Sequence, residues 1–248
     1  MTATTTAASV RSPHRAAEQR ATLHSYRWLL RRNLQIAGWA VAILVIAVVV
    51  GALLVERLAS VEISIVQFAR QGFVWFPFAM MIAASTTYAN VHVAAGMTRR
   101  AMGRATLLVA LTLAAFYTAA MTVAFQVERL AFRAQGWGQE ITTDGYDQLF
   151  SESDQVGLIV LDLGLLFVTA HLCGLLVGAT YYRVGGLWGT LALPLTVGPV
   201  LLVTPLLGYD ALGVELGTRV AIVVAAQVAI AVAYLLVLRR APVRPVTT

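Results

Sequence analysis

Asp162 and His171 are the residues of this chain best placed to do chemistry where water is scarce. Both fall inside one apolar run, VGLIVLDLGLLFVTAHLCGLLVGATY, from Val156 to Tyr181. An ionisable group in such a run is costly unless it is paired or faces water, so each is a candidate for a substrate path. On a helix, nine residues of separation turn the two side chains to opposite sides, so they cannot pair with each other. At 1.5 Å per residue Asp162 sits about 10 Å below the start of the run. Two readings stand for each residue. Asp162 is either a carboxylate that bonds a facing Ser, Thr or Tyr or reaches interfacial water, or a group on a substrate path. His171 is either a neutral imidazole bonded within a helix bundle or a second group on that path.

Other chemistries ask for residues that the chain lacks or scatters. Its histidines and its one cysteine, Cys173, form no H-x-x-x-H, H-E-x-x-H or C-x-x-C spacing, which leaves metal ligation without a motif. One cysteine allows no internal disulfide. All 18 basic residues are arginine. A standard phosphate loop is therefore excluded, because its lysine must reach the β- and γ-phosphates. The apolar runs from residue 156 onward contain no serine, so an intramembrane serine protease lacks its nucleophile there. No enzyme activity or bound cofactor is expected of this chain.

A second constellation is charged. In NVHVAAGMTRRAMGRAT, Gly96, Met97, Thr98, Arg99, Arg100 and Arg104 form a tight basic elbow between two apolar runs. Gly96 can turn the chain and Thr98 can cap a short helix. The arginines can offer bidentate contacts to carboxylates on a partner. The same charges could instead rest on phospholipid as a positive anchor, and charge alone does not choose.

The elements that position these residues are set by hydropathy. The chain has 248 residues, 59% hydrophobic and 12% charged. Its apolar runs approach or exceed the ~20 residues that a bilayer crossing needs. They fall at 34–55, 72–95, 105–127, 156–181, 185–207 and 217–238. The expected fold is an all-α integral membrane protein with six transmembrane helices, residues 34–238. An amphipathic interfacial helix at 16–33 precedes them, its basic residues facing away from an apolar sector. Residues 1–15 read as a disordered cytoplasmic tail and 239–248 as a second cytoplasmic tail. The leader and first run are too long for a cleaved signal peptide, so a retained anchor is expected.

Thirteen of the 18 arginines lie on one side of such a topology, and Arg57, Arg70, Arg129, Arg133 and Arg219 on the other. The positive-inside rule then puts both termini in the cytoplasm. The net charge of +6 follows from this sorting, and no nucleic-acid partner is implied. Pro77 predicts a kink in the second run, and Pro194, Pro199 and Pro205 a bent fifth. The segment 128–155, with Gly136, Gly138 and Trp137, reads as the largest external loop, too small for an enzyme domain. Gly174 and Gly178 fit close helix packing.

The arrangement resembles the permease subunit of bacterial ATP-binding-cassette exporters of the type-two (ABC-2-like) class. The likeness runs from about His14 to Arg240. It rests on the amphipathic leader, the six runs, the turn YYRVGGLWG after the fourth, and GMTRR after the second. The brief segment between the fifth and sixth runs departs from that family, which usually places a longer outer segment there. In that family the segment after the second span is the coupling helix seated in the ATPase. The resemblance implies that role for Gly96, Met97, Thr98, Arg99 and Arg100, with Arg104 flanking. It implies a separate ATP-binding-cassette ATPase subunit carrying ATP and Mg, a second permease copy or paralogue, and residence in the bacterial inner membrane. The function implied is ATP-driven export of an amphipathic substrate, a drug, antibiotic or lipid-like molecule. The alternative is a stand-alone structural or regulatory membrane protein that binds anionic lipid or a protein partner.

Overall fold

The computed structural model describes residues 6–56, 63–94, 98–141, 148–208 and 213–240. Among these the regular structure is helical apart from one isolated bridge between Ile63 and Glu140. The helices are α1 (Thr6–Glu56), α2 (Val66–Ala94), α3 (Arg99–Gln135), α4 (Val156–Val184), α5 (Gly186–Leu191), α6 (Leu193–Gly208) and α7 (Leu216–Arg239). Five helical stretches among the described residues are long and apolar enough to cross a bilayer: α1 from Ala16 to Gly51, α3, α4, α5 with α6, and α7. The chain is a multi-pass membrane protein. α2, with 29 residues, is long enough at about 43 Å, but Arg70, Gln71 and the Ser85–Thr87 run interrupt its apolar stretch.

α4 is the central helix. Every residue from Thr169 to Ala179 is buried, as expected of a helix apolar on all sides. α2, α3, α6 and α7 pack around it. The closest approach is to α2, where a Cβ on Gly174 would overlap the Phe78 carbonyl and one on Gly178 would reach 2.6 Å from the Ile82 carbonyl. Glycine at both positions lets the two backbones touch. Tyr234 of α7 meets Thr106 of α3 at 2.8 Å. Gln227 of α7 donates to the Leu165 carbonyl at 2.9 Å and to Thr169 at 3.1 Å on α4. With Thr118 of α3 lying 3.9 Å from a Cβ placed on Gly164 of α4, these contacts make α4 and α7 parallel and α3 antiparallel to both. The end holding Thr98 and Arg239 is termed proximal below, and the end holding Glu128 and Asp162 distal.

Several boundaries differ from the sequence expectation. α1 starts at Thr6, inside the stretch expected as a disordered tail, and passes the expected break at 33/34 unbroken. Thr22, Ser25, Leu29, Asn33 and Ala37 form one buried face across it. The Asn33 amide donates back to the Leu29 carbonyl at 2.8 Å, and no Gly or Pro interrupts 16–37. α1 lies parallel to α3, with Glu18 beside Arg104 at 3.4 Å and Tyr26 beside Thr112 at 3.0 Å. The break in the fifth run falls at Ala192, between α5 and α6. There Pro194 has no N–H to give the Thr190 carbonyl.

Candidate functional site

Asp162 is held at the distal end by a partner that the sequence had placed in an external loop. α2 begins at Val66 rather than at residue 72, so Arg70 occupies its second turn. Arg70 is buried in phase with Val66, Phe73, Pro77 and Met81, on the face turned toward α4. Its Nη2 donates to Asp162 Oδ2 at 2.7 Å and to the Thr204 hydroxyl of α6 at 3.2 Å. Three helices thus meet at one ion pair. Arg70 Nε and Asp162 Oδ1 are both buried and make no hydrogen bond among the described residues. Arg219, also expected outside, is buried in the first turn of α7 and donates to the Leu207 carbonyl of α6 at 2.7 Å.

A second distal carboxylate lay in the segment read as an external loop. α3 runs past residue 127 to Gln135, where Gly136 at φ +70° closes it, and Glu128 is 3% exposed. Its Oε1 accepts from the backbone N–H of Ile65 at 2.7 Å and of Val66 at 3.0 Å. Its Oε2 accepts from the Ser64 hydroxyl at 2.5 Å and from Gln139 Nε2 at 2.7 Å. The opening N–H groups of a helix lack partners in the preceding turn, and an anion there is favoured. Glu128 is therefore a cap for α2 supplied from another helix. Gln139 also bonds Ser153, which ties the segment before α4 into the same clasp.

His171 faces the other side of α4, as nine residues of separation require. Its Nδ1 lies 2.7 Å from the Phe167 carbonyl, and Nε2 is buried without a partner among the described residues. The ring stands 5.8 Å from that of Tyr117, which meets Phe73 at 5.4 Å and Phe167 at 6.4 Å edge-on. The surroundings are aromatic and buried. Asp162 and His171 are both fully buried, and neither lines the groove between α3 and α4, the larger cavity described below.

At the proximal end Thr98 is the N-cap of α3 itself, its hydroxyl accepting from Ala101 N–H at 3.2 Å. Arg99, Arg100 and Arg104 thus sit in the first two turns of a 37-residue helix. Gly96 and Met97 lie outside the described residues. Arg99 Nη1 donates to the Arg239 carbonyl at the end of α7 at 3.1 Å, while Arg100 is exposed and Arg104 reaches Glu18 of α1. Among the described residues no group of three or more His, Cys, Asp or Glu is placed to hold a metal ion.

Sequence reasoning missed Arg70 and Glu128. The available signal for Arg70 was its helical phase with the apolar stripe of α2. For Glu128 it was the continued periodicity through Phe125 and Phe132. No protein-family model matches the chain, and no curated protein or solved structure does either.

Proposed function

We propose that this chain is the membrane-spanning subunit of an ATP-driven exporter of amphipathic molecules, working with a separate ATPase subunit and a second permease copy. In this reading α2 is a sixth crossing, the proximal end is cytoplasmic, and both termini lie inside. The cell membrane is the bacterial inner one.

The observation that carries the reading is the Arg99 contact to the Arg239 carbonyl. It joins the start of α3 to the end of α7 beside an exposed Arg100. Pressure on this elbow would move α3 and α7 together, and both pack on α4. ATP binding can drive such a change only if the nucleotide-bound partner has different affinity for the two states. At the distal end the Arg70–Asp162–Thr204 junction holds α2, α4 and α6 together. Opening on that side has to part it, and a substrate path through Asp162 exists only once it has parted.

The test is co-purification of this chain with an ATP-binding-cassette ATPase from its native cells, and transport by the pair. Arg100→Glu, and Arg99→Glu with Arg100→Glu, are expected to lose both. Intact association and transport in the double variant would remove the coupling role. A stand-alone protein that binds anionic lipid is the second reading, favoured by the exposed Arg20, Arg27, Arg31 and Arg32 on α1. It predicts a chain that purifies without any nucleotide-hydrolysing companion.

A further inference from the structure

The seam between α3 and α4 is open along the distal half of the bundle. Ala115, Thr118 and Ala119 on α3, with Gly157, Leu161 and Gly164 on α4, line a groove of about 770 Å³. Small residues keep it open; a Cβ on Gly157 would meet nothing within 4 Å. The hydroxyls of Thr118 and Thr122 are turned back onto carbonyls of their own helix, so the walls offer apolar surface. From Leu111 to Val123 the groove follows α3 for about 18 Å. One leaflet of a bilayer holds about 15 Å of hydrocarbon.

The same stripe of α3 continues through Gln126, Arg129 and Arg133, and its chemistry changes. Arg129, Arg133 and Trp137 face Glu152 and Asp154 around a second pocket of about 240 Å³. Arg129 and Arg133 lie about 9 and 15 Å beyond Val123, the last groove residue of α3, by helical rise. Arg129 touches Asp154 only at 3.5 Å, with the carboxylate half exposed. An exposed pair of this kind is weak, so both signs stay available to a ligand.

We propose that this seam holds one zwitterionic phospholipid with a primary ammonium headgroup, as in phosphatidylethanolamine. An acyl chain lies in the groove, the phosphate meets Arg129 and Arg133, and the ammonium meets Glu152 and Asp154. Charge complementarity selects this occupant. An anionic headgroup would set its excess charge against two carboxylates. A transmembrane helix of a second copy would bring apolar surface against four charged side chains. Trp137 at the rim belongs at headgroup level. Because lipid tails are as apolar as the groove walls, the headgroup contacts decide which lipid stays. The inference needs a membrane with the distal end at a headgroup layer, and does not depend on the exporter reading.

The experiment is native mass spectrometry of the full chain, released from nanodiscs of equal phosphatidylethanolamine and phosphatidylglycerol. One phosphatidylethanolamine per chain is expected to survive release. Arg129→Gln with Arg133→Gln should lower its retention roughly tenfold, the effect of losing charge-assisted contacts. Glu152→Gln with Asp154→Asn should turn the preference toward phosphatidylglycerol. Gly157→Leu, whose Cβ would meet nothing within 4 Å and whose side chain takes up groove volume, should lower retention of both lipids. Equal retention by wild type and the arginine variant overturns the site. So does a wild-type preference for phosphatidylglycerol, or efficient disulfide cross-linking of two copies through Ala119→Cys.

Discussion

Arg70 and Asp162, 92 residues apart, meet at 2.7 Å with side chains 6% and 0% exposed. Removing one partner leaves the other charge buried without compensation, which costs about 3–5 kcal/mol. Asp162→Leu is therefore expected to lower the thermal midpoint in detergent sharply. Adding Arg70→Met should recover most of the loss, because an apolar pair of similar volume avoids the desolvation altogether. The double-mutant cycle reads the coupling directly. Additive losses would mean that the pair does not hold the three helices.

Glu128 makes a different prediction, since its charge serves backbone donors rather than a second charge. Glu128→Gln keeps an oxygen for Ile65 and Val66 but turns an NH₂ toward Ser64 and Gln139, both of which donate to it now. Hydrogen bonds to a charged group contribute about 1.5–3 kcal/mol. The expected result is a loss in that range. Hydrogen exchange should rise first at residues 64–67, where α2 starts, while amides in the middle of α4 stay protected.

The α2–α4 contact separates glycines that matter from glycines that do not. A Cβ on Gly174 would lie 2.9 Å from Met81 Cβ and closer still to the Phe78 carbonyl, whereas one on Gly186 would meet nothing within 4 Å. Gly174→Ala is expected to destabilise by at least the ~1–3 kcal/mol typical of overpacking, because the obstructing atom is backbone. Gly186→Ala should be neutral or slightly stabilising in α5, by helix propensity. Equal effects at the two positions would mean that the helices stand farther apart.

How much of this was legible beforehand depends on the distance over which each feature is encoded. The central helix is written locally, as an apolar run from Val156 to Tyr181, and α4 occupies it. Thr98 as a cap and Gly174 with Gly178 as a packing seam are equally local, and all three take those roles. Arg70 and Glu128 are not local. Hydropathy ends a helix at the first charge, whereas both residues continue a helical stripe whose charge is met by a distant segment. The partner of Asp162 could not be read from its own neighbourhood. The resemblance suggested a separate short helix after α2, yet Thr98 opens α3 itself.

The position of α1 decides the number of crossings. α1 lies beside α3 with a constant offset, so Arg27, Arg31 and Arg32 stand exposed at the level of residues 113–118 of α3. An arginine facing hydrocarbon at mid-bilayer costs at least ~2.5–3.5 kcal/mol. An exposed ion pair such as Arg104–Glu18 contributes about 0–1 kcal/mol, and the Tyr26–Thr112 bond about 0.5–1.5 kcal/mol. Packing of Leu29 adds little against lipid tails of equal polarity. Desolvation wins. In a bilayer, residues 16–33 are expected to leave the side of α3 and lie at the interface, hinging near Gly38, where nothing crowds the backbone. Cys173 is buried, so single cysteines at Arg31, Gln67 and Arg100 report cleanly on sidedness. An impermeant maleimide should label Arg31→Cys and Arg100→Cys from one side and Gln67→Cys from the other. Protection of Arg31→Cys from both sides would keep α1 beside α3, and labelling of Gln67→Cys with Arg100→Cys would reduce the crossings to five.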